Sequence, residues 1–521
     1  MRDVLKRLAR MALIATLGWY IGLSATRAAD RTSSYTAALE SITAQGLQHY
    51  VNILADEAME GREAGTRGGW AAADYLAAEL ANSKIRGGGD EGGYFQPFPP
   101  NFRNVLGRIE GSDLALKQQY IVLGAHYDHI GRGNYRNSRG GVGQIHPGAD
   151  DNASGVSGLL KLAQAFVLLP EPPRRSLLFA FWDAEELEML GSRYWMANPT
   201  VPREHLVMAF NLDMIGRLRQ DRVIILGSRT SFGFRRLVCQ QNGQSNLLLD
   251  FSWKLLPAGD HFTFLQAGVP HLMFHTDVHD DYHRPADVAR LVNSAGMERV
   301  VRLVFAVAYE IAQQAQAPKF RAAARYESPE TQQVLLQPYG PLPDRFGAAW
   351  EQVGVPGFGV RLTWVGFGSP AYKAGFQPGD QIVQFAGRRI TSAEDLMGAI
   401  IGASSPAVAL VYRPGRQEPL ELTVQLEGPP LRLGITWRTD DAEPGTIILT
   451  QVVPGSPAAH AGLRVGDRIY QIGGRDFADD REFAQRAKSL PGPLRVLMER
   501  DGRIRTVEIP LEAHFPLRRA A

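Results

Sequence analysis

Four short apolar segments alternate with amphipathic ones in the first half of the chain. The apolar segments are rich in Val, Ile, Leu and Phe and span 120–125, 176–182, 207–212 and 270–275. Such runs predict strands buried on both faces of a mainly parallel sheet. Apolar residues at helical spacing predict helices over 154–169 and 68–83. We therefore expect an open α/β sheet with helices on both faces, whose ligands bind beyond the carboxyl ends of the strands.

Five residues with metal-ligand side chains punctuate this half of the chain. They are His126, Asp151, Glu186, Asp213 and His283. We expect each to lie where a strand gives way to a loop, so that all five meet at one edge of the sheet. Three carboxylates and a bridging hydroxide balance two divalent cations, whereas five protein ligands are too many for one tetrahedral catalytic zinc. The pattern predicts a two-metal hydrolase site.

Five ordered motifs then carry a resemblance to a known family. They are HYD at 126–128, GADDNASG at 148–155, DAEELEMLGS at 183–192, NLDM at 211–214 and YHRPAD at 282–287. In order and spacing they resemble the co-catalytic zinc aminopeptidases, in the family that also contains glutaminyl cyclases and glutamate carboxypeptidase. The resemblance begins near Leu54, in LADEAMEGREAGT, and ends near residue 310.

The resemblance implies a role for each ligand. Asp151 would bridge two zinc ions, and Asp150 beside it is the less favoured candidate. The other four would form two half-sites, Glu186 with His283 and His126 with Asp213.

It also implies three catalytic residues that do not bind metal. Glu185 would be the general base that accepts a proton from the attacking water. Asp128 would accept the second imidazole N–H of His126. Tyr282 would donate a hydrogen bond to the developing oxyanion, with packing as the equal alternative.

Other residues near these motifs have simpler interpretations. A lone Asp or Glu at a strand end is usually a helix cap or a solvated charge, although adjacent Glu185 and Glu186 repel each other unless a cation compensates. Four further histidines are expected not to bind metal, because the ligand set is complete without them: His129, His146, His275 and His279. Asp260 and His261 resemble a family segment that supports the pocket. The single cysteine, Cys239, excludes an intramolecular disulfide framework.

The N-terminal segment resembles a secretory signal peptide. Basic residues precede an apolar run over 11–25, and small residues follow. The run is short for a membrane span, so cleavage is favoured over permanent anchoring. Loss of residues 1–29 removes five basic side chains and one acidic one, which changes the formal charge from +2 to −2. With no basic excess, we expect no nucleic-acid partner. The signal-like segment and the lack of a disulfide pair predict a periplasmic or secreted location.

The final third of the chain contains a repeat. A Pro- and Gln-rich connector at 318–343 precedes SPAYKAGFQPGDQI at 369–382, which returns as SPAAHAGLRVGDRI at 456–469, an offset of 87 residues (456 − 369). The segment resembles PDZ domains of the bacterial protease type, small and rich in strands. In such domains a glycine loop receives a peptide C-terminus, and 357–360 and 433–435 match it. Spacer or lid roles are equally weighted alternatives to peptide capture.

Together these features predict a multi-domain enzyme acting on peptides. The expected divisions are a signal peptide at 1–29, a zinc aminopeptidase domain at 30–317, the connector at 318–343 and PDZ-like domains at 344–428 and 429–515. The expected function is a secreted aminopeptidase with two Zn²⁺ per chain. Two alternatives remain: glutaminyl cyclase or carboxypeptidase-type activity on the same fold, and an inactive protein that binds peptides through its PDZ domains.

Overall fold

A computed structural model describes residues 33–352 and 359–511, and the chain divides into two compact units, 1–327 and 328–521. The predicted signal peptide lies outside the described residues. Within the described ranges, no helix is both long and apolar enough to cross a membrane.

The first unit is built on one mixed sheet. Its strands are β1 (Arg86–Gly87), β2 (Phe95–Phe98), β3 (Phe102–Ile109), β4 (Tyr120–His126), β5 (Ser176–Trp182), β6 (Leu206–Leu212), β7 (Arg222–Leu226), β8 (Leu248–Phe251) and β9 (His271–His275). The strand order is β1-β3-β5-β4-β6-β9-β7-β8, with β2 beside β3. The four central strands β5, β4, β6 and β9 are mutually parallel, so their carboxyl ends share one edge.

Helices cover both faces of this sheet. They are α1 (33–40), α2 (Ala44–Leu54), α3 (Arg67–Asn82), α4 (Gly155–Val167), α5 (Leu190–Ala197), α6 (Phe234–Gln241), α7 (His261–Ala267) and α8 (Ser294–Gln313). On one face Phe166 of α4 contacts Phe179 of β5. On the other, Trp195 of α5 contacts Trp182 of β5. Because alternate residues of β5 face opposite sides, both faces of this strand are fully buried.

This architecture confirms the predicted fold class. Strand β5 has the predicted limits, and the other three predicted strands differ from β4, β6 and β9 by one residue at one end. The ligand positions differ more from expectation. His126 ends β4 and Asp213 follows β6 directly, but His283 lies eight residues beyond β9 (283 − 275) and Asp151 lies in the irregular turn Ala149–Ser154 before α4. The site is thus built partly by long loops.

The second unit contains two copies of one fold after a short helix, α9 (Pro329–Leu336). The first copy has β10 (Ala348–Gln352), β11 (Val360–Val365), α10 (Pro370–Lys373), β12 (Gln381–Phe385), β13 (Arg388–Arg389), α11 (Ala393–Gly402), β14 (Ala407–Tyr412) and β15 (Leu420–Val424). The second has β16 (Ile435–Arg438), β17 (Ile447–Val452), α12 (Pro457–His460), β18 (Arg468–Ile472), β19 (Arg475–Asp476), α13 (Asp480–Ser489), β20 (Leu494–Arg500) and β21 (Arg503–Ile509). Both sheets are antiparallel, and their edge strands β10 and β16 are equivalent.

The 87-residue offset corrects the predicted glycine loop of the first copy. Gly434 precedes β16, and its equivalent is Gly347, which precedes β10. Both have positive φ, and a Cβ on either would lie within 2.3 Å of the Cβ of Ser369 or Ser456. Of the predicted 357–360 loop, residues 357 and 358 lie outside the described residues, and Gly359 leads into β11, the second strand of the sheet. The loop that precedes the edge strand is therefore the one at Gly347.

Candidate metal centre

One group of ligand atoms forms around the end of β4. His126 Nε2 lies 3.3 Å from Asp151 Oδ1 and 3.5 Å from Asp213 Oδ1. His126 and Asp151 are buried, and Asp213 is 9 % exposed. The imidazole Nδ1 lies 3.2 Å from the carbonyl oxygen of Asp128, which fixes the orientation of the ring. These three side chains could hold one metal ion.

A second group shares Asp151. Its other oxygen, Oδ2, lies 3.0 Å from His283 Nε2, which is also 3.3 Å from Glu186 Oε2. His283 Nδ1 lies 2.8 Å from the carbonyl oxygen of Asn137, an acceptor that leaves Nε2 free to face the carboxylates. His129 lies beside these three side chains, with Nδ1 2.8 Å from Glu186 Oε1. That distance is typical of a hydrogen bond, so His129 orients Glu186.

These spacings fit zinc. Ligand atoms bonded to one tetrahedral zinc at about 2.0–2.1 Å lie about 3.3–3.4 Å from each other. His126 Nε2 lies 3.3 and 3.5 Å from its two carboxylate neighbours. His283 Nε2 lies 3.3 and 3.0 Å from its own two. His283 Nε2 is buried and makes no aligned hydrogen bond to either neighbouring carboxylate. A nitrogen that faces two carboxylates without bonding to them is suited to a cation held among them.

The electrostatics also call for positive charge. Burial by itself lowers the pKa of His283, but its contacts with Asp151 and Glu186 raise it to about 11. Burial raises the pKa of Glu186, yet its contacts with His129 and His283 lower it to about 2. The lowered pKa keeps the Glu186 carboxylate ionised, and the raised pKa favours a positively charged His283 imidazole. Bound divalent cations would supply that charge in place of protons.

Glu185 is set apart from both groups. Its Oε2 lies 4.0 Å from His126 Nε2, farther than the ligand oxygens, and its side chain is 15 % exposed. Burial raises the pKa of Glu185 well above its usual range, as do the nearby carboxylates of Asp260, Glu186 and Asp213. A carboxyl with high proton affinity beside a metal site is suited to general-base chemistry.

Asp128 holds this acidic segment in place. Its carboxylate accepts the main-chain N–H groups of Glu185 and Glu186 at 3.0 and 3.3 Å. Its Oδ1 is 3.7 Å from His126 Nδ1, so the carbonyl of Asp128, at 3.2 Å, is the closer partner of that ring. The residue therefore acts on both sides of the centre, through its main chain on His126 and through its side chain on the glutamates.

Comparison with known proteins identifies the domains. Residues 104–308 match peptidase family M28, and residues 361–414 and 448–499 match the PDZ domain. The chain contains an M28 domain and two PDZ domains. An aminopeptidase of Bacillus subtilis (strain 168) is 27% identical over 209 residues, which cover 38% of this chain and 42% of the relative.

Two further proteins are similar to parts of this chain. A probable periplasmic serine endoprotease of Marinomonas sp., described as DegP-like, is 28% identical over 25% of this chain and 33% of its own length. A solved zinc aminopeptidase from Bacillus subtilis is 16% identical, with a TM-score of 0.41, over 54% of this chain and 98% of that one. The chain spans less than half the length of two of these relatives, the aminopeptidase of Bacillus subtilis (strain 168) and the Marinomonas protease.

Buried polar contacts tie the ligand loops of the M28 domain together. Asp287 Oδ2 accepts the main-chain N–H groups of Asp150 and Asp151 at 2.9 and 3.1 Å. Asn152 donates to the carbonyl of Leu212 at the end of β6 and so links this turn to Asp213. Asp150 faces away from the ligands, since its Oδ1 accepts the N–H of Gly216 at 2.6 Å. It therefore has a structural role beside the bridging candidate.

Arg62 is the residue that sequence reasoning missed. It lies in the opening segment LADEAMEGREAGT and is fully buried. Its guanidinium donates to the carbonyls of Tyr127, Pro147 and Gly148 at 2.7–2.8 Å, and to that of Leu54 at 2.6 Å. It thus joins the loops that carry His126 and Asp151. Burial lowers the pKa of Arg62 to about 10, although nearby carboxylates oppose the shift.

Replacing Arg62 with Met should destabilise the M28 domain and weaken zinc binding together. The substitution leaves four buried carbonyls without their donor, a loss of about 3 kcal/mol or more. Urea unfolding of the zinc-free protein and zinc titration measure the two effects. Arg67→Met, at an exposed arginine paired with Glu60, is the matched control and should change neither. Unaltered zinc affinity in Arg62→Met would exclude a role in positioning the ligands.

The remaining predicted residues surround the centre without joining it. The Tyr282 ring lies 3.9 Å from the His283 ring between centroids. His146 contacts Ser138, and His275 Nδ1 accepts the N–H of Asp277. His279 Nε2 lies 3.2 Å from Asp150 Oδ2, on the far side of the ligand turn. Asp260 is buried near Glu185, and a Cβ on Gly259 would lie 3.6 Å from Asp213 Oδ2.

Proposed function

We propose that the protein is a two-zinc aminopeptidase that removes N-terminal residues from peptides. The observation that best supports this proposal is the arrangement of two carboxylates. Asp151 presents one oxygen to each group of ligand atoms, whereas Glu185 belongs to neither group. His126 and Asp213 would hold one zinc ion, and Glu186 and His283 the other. Match to the M28 family supports this assignment.

The residues of the site would divide the chemistry. When bound, two zinc ions supply Lewis-acid catalysis that acidifies water and polarises the scissile carbonyl. Glu185 accepts the proton from the attacking water and delivers it to the leaving amine. Asp128 keeps Glu185 in register with His126, because its carboxylate accepts the main-chain N–H of Glu185 and its carbonyl oxygen contacts His126 Nδ1. Tyr282, whose ring lies against that of His283, would donate a hydrogen bond to the oxyanion.

Hydrolysis of a panel of aminoacyl anilides tests this proposal. The zinc-loaded protein should cleave several of them, and a chelator should abolish cleavage until zinc is restored. Metal content measured on the same sample should approach two zinc ions per chain. One zinc ion per chain would favour the cyclase reaction, and a zinc-loaded protein that cleaves no anilide would contradict the aminopeptidase assignment.

We further propose that the PDZ domains, at 344–428 and 429–515, recruit peptide C-termini. In each, an edge strand follows a glycine loop, and an arginine before the glycine ties that loop to the longer helix of the domain, α11 or α13. Arg345 donates to the carbonyls of Ile400 and Ala403 at the end of α11, and Arg432 donates to that of Leu490 after α13. An edge strand and a helix held in this way are suited to peptide capture by strand addition.

Removing residues 344–521 should impair cleavage of long peptides selectively. Loss of a second binding site lowers effective substrate concentration, so we expect kcat/KM for long peptides to fall about tenfold. Aminoacyl anilides are too small to reach both sites and serve as the control substrates. Equal kcat/KM for long peptides with and without these residues would count against recruitment.

Secretion to the periplasm or beyond is part of the same proposal. The basic, apolar and small-residue pattern of 1–29 supports it. The N-terminus of the protein recovered from its native host should begin near residue 30, and an intact N-terminus in the cytoplasm would contradict export.

A further inference from the structure

A basic loop borders the metal centre. Residues 129–149 contain three arginines, Arg132, Arg136 and Arg139, and no Asp or Glu. The loop is tied to the ligand segment, because the N–H of Arg139 donates to the carbonyl of His283 at 2.9 Å. His283 in turn bonds the carbonyl of Asn137 in the same loop. The loop therefore has a defined position beside the metal site.

Arg139 presents its charge at the rim of that site. Its Cζ lies 4.5 Å from the centroid of the Tyr282 ring, which lies against the ring of His283 at a tilt of 32°. The residue is exposed, and no carboxylate among the described residues forms an ion pair with it. Asp281, which precedes Tyr282, is paired with Arg217 at 2.7 Å. A guanidinium that is fixed by stacking but has no anionic partner is ready to bind one.

We propose that Arg139 binds a carboxylate of the substrate on the leaving-group side of the scissile bond. This inference rests on the proposed aminopeptidase function and names its substrate class. The substrate's N-terminal ammonium is repelled by a guanidinium, so it faces away from Arg139. The anion nearest the scissile bond on the other side is either the C-terminal carboxylate of a dipeptide or an acidic side chain in the second residue. Arg139 thus selects dipeptides or peptides with an acidic second residue.

Two substrate pairs test this selection and separate the two sources. With X as the residue whose anilide is cleaved fastest, X-Gly is compared with X-Gly amide, and X-Asp amide with X-Asn amide. The charged member of at least one pair should have about fivefold higher kcat/KM, the effect of one exposed charge pair. Preference in the first pair only identifies dipeptides, and preference in the second only identifies an acidic second residue.

Variants connect the preference to Arg139. Arg139→Gln should bring the ratio within the pair close to one, and Arg139→Lys should keep part of it because the charge remains. Arg136→Gln, in the same loop, is the matched control and should keep the full ratio. Each ratio is taken within one variant, so a general loss of activity or zinc does not alter it. Absence of preference in the natural protein, or an equal preference in Arg139→Gln, would overturn the proposal.

Turnover is not needed for the same comparison. Calorimetric binding of each pair to the zinc-loaded Glu185→Gln variant, with and without Arg139→Gln, gives the ratio of dissociation constants directly. A failure of the peptidase assignment would appear in the anilide assay, whereas a failure of the carboxylate assignment would appear as equal binding within both pairs. The two proposals are therefore judged separately.

Discussion

Replacing Glu185 with Gln should leave zinc bound and lower kcat by about a thousandfold, the contribution typical of a general base. The amide is nearly isosteric with the carboxyl but accepts no proton at neutral pH. Zinc content should persist because Glu185 Oε2 stands 4.0 Å from His126 Nε2 and belongs to neither ligand group. Turnover of the best anilide and metal analysis on one sample measure both expectations.

The neighbouring glutamates provide matched controls for this variant. Glu186→Gln should lose zinc as well as activity, because Glu186 Oε2 faces His283 Nε2 at 3.3 Å. Glu188→Gln should alter neither, since the Glu188 side chain is 87% exposed. An active Glu185→Gln protein would remove Glu185 as the base, and one that has lost its zinc would make Glu185 a ligand.

The central sheet was predictable because its strands are buried on both faces. After Ser176 the run 177–182 is apolar throughout, so the limits of this strand follow from composition. His126 and Asp213 adjoin β4 and β6, so their positions follow from the limits of those strands. The ligand motifs were recognised from their resemblance, in order and spacing, to the zinc aminopeptidase family.

The long loops could not be predicted in the same way. His283 is held at the centre by bonds to Asn137 and Arg139, from a loop more than a hundred residues away in sequence, and hydrophobic periodicity does not predict such contacts. Arg62 is hidden because a buried arginine looks like any surface arginine in sequence. The error in predicting the glycine loop of the first PDZ domain has a different cause. Gly347 is found by applying the 87-residue offset to Gly434, so the sequence alone is enough to locate this loop.

Replacing Asp151 with Ala should remove both zinc ions and all measurable turnover. Asp151 is the one residue common to both groups among the described residues, with Oδ1 facing His126 and Oδ2 facing His283. Each half-site then keeps only two of its ligands, fewer than the three that a catalytic zinc usually takes. Zinc content after dialysis against a weak chelator measures the loss, and full occupancy would remove Asp151 from the bridge.

A folding defect would give the same loss, so Tm must be measured with and without zinc. Asp151→Ala also removes the contacts of this carboxylate with His126 and His283, so the zinc-free variant should unfold somewhat more easily than the natural protein, and the comparison is of the zinc-dependent gain within each protein. The natural protein should gain about 4 kcal/mol for each zinc site at a thousandfold excess of zinc over Kd, and the variant should gain none. Asp150→Asn, beside it but bonded to Gly216, should keep the zinc-dependent gain. If both variants lose that gain, the turn as a whole positions the metals, and the two oxygens of Asp151 have no special part in it.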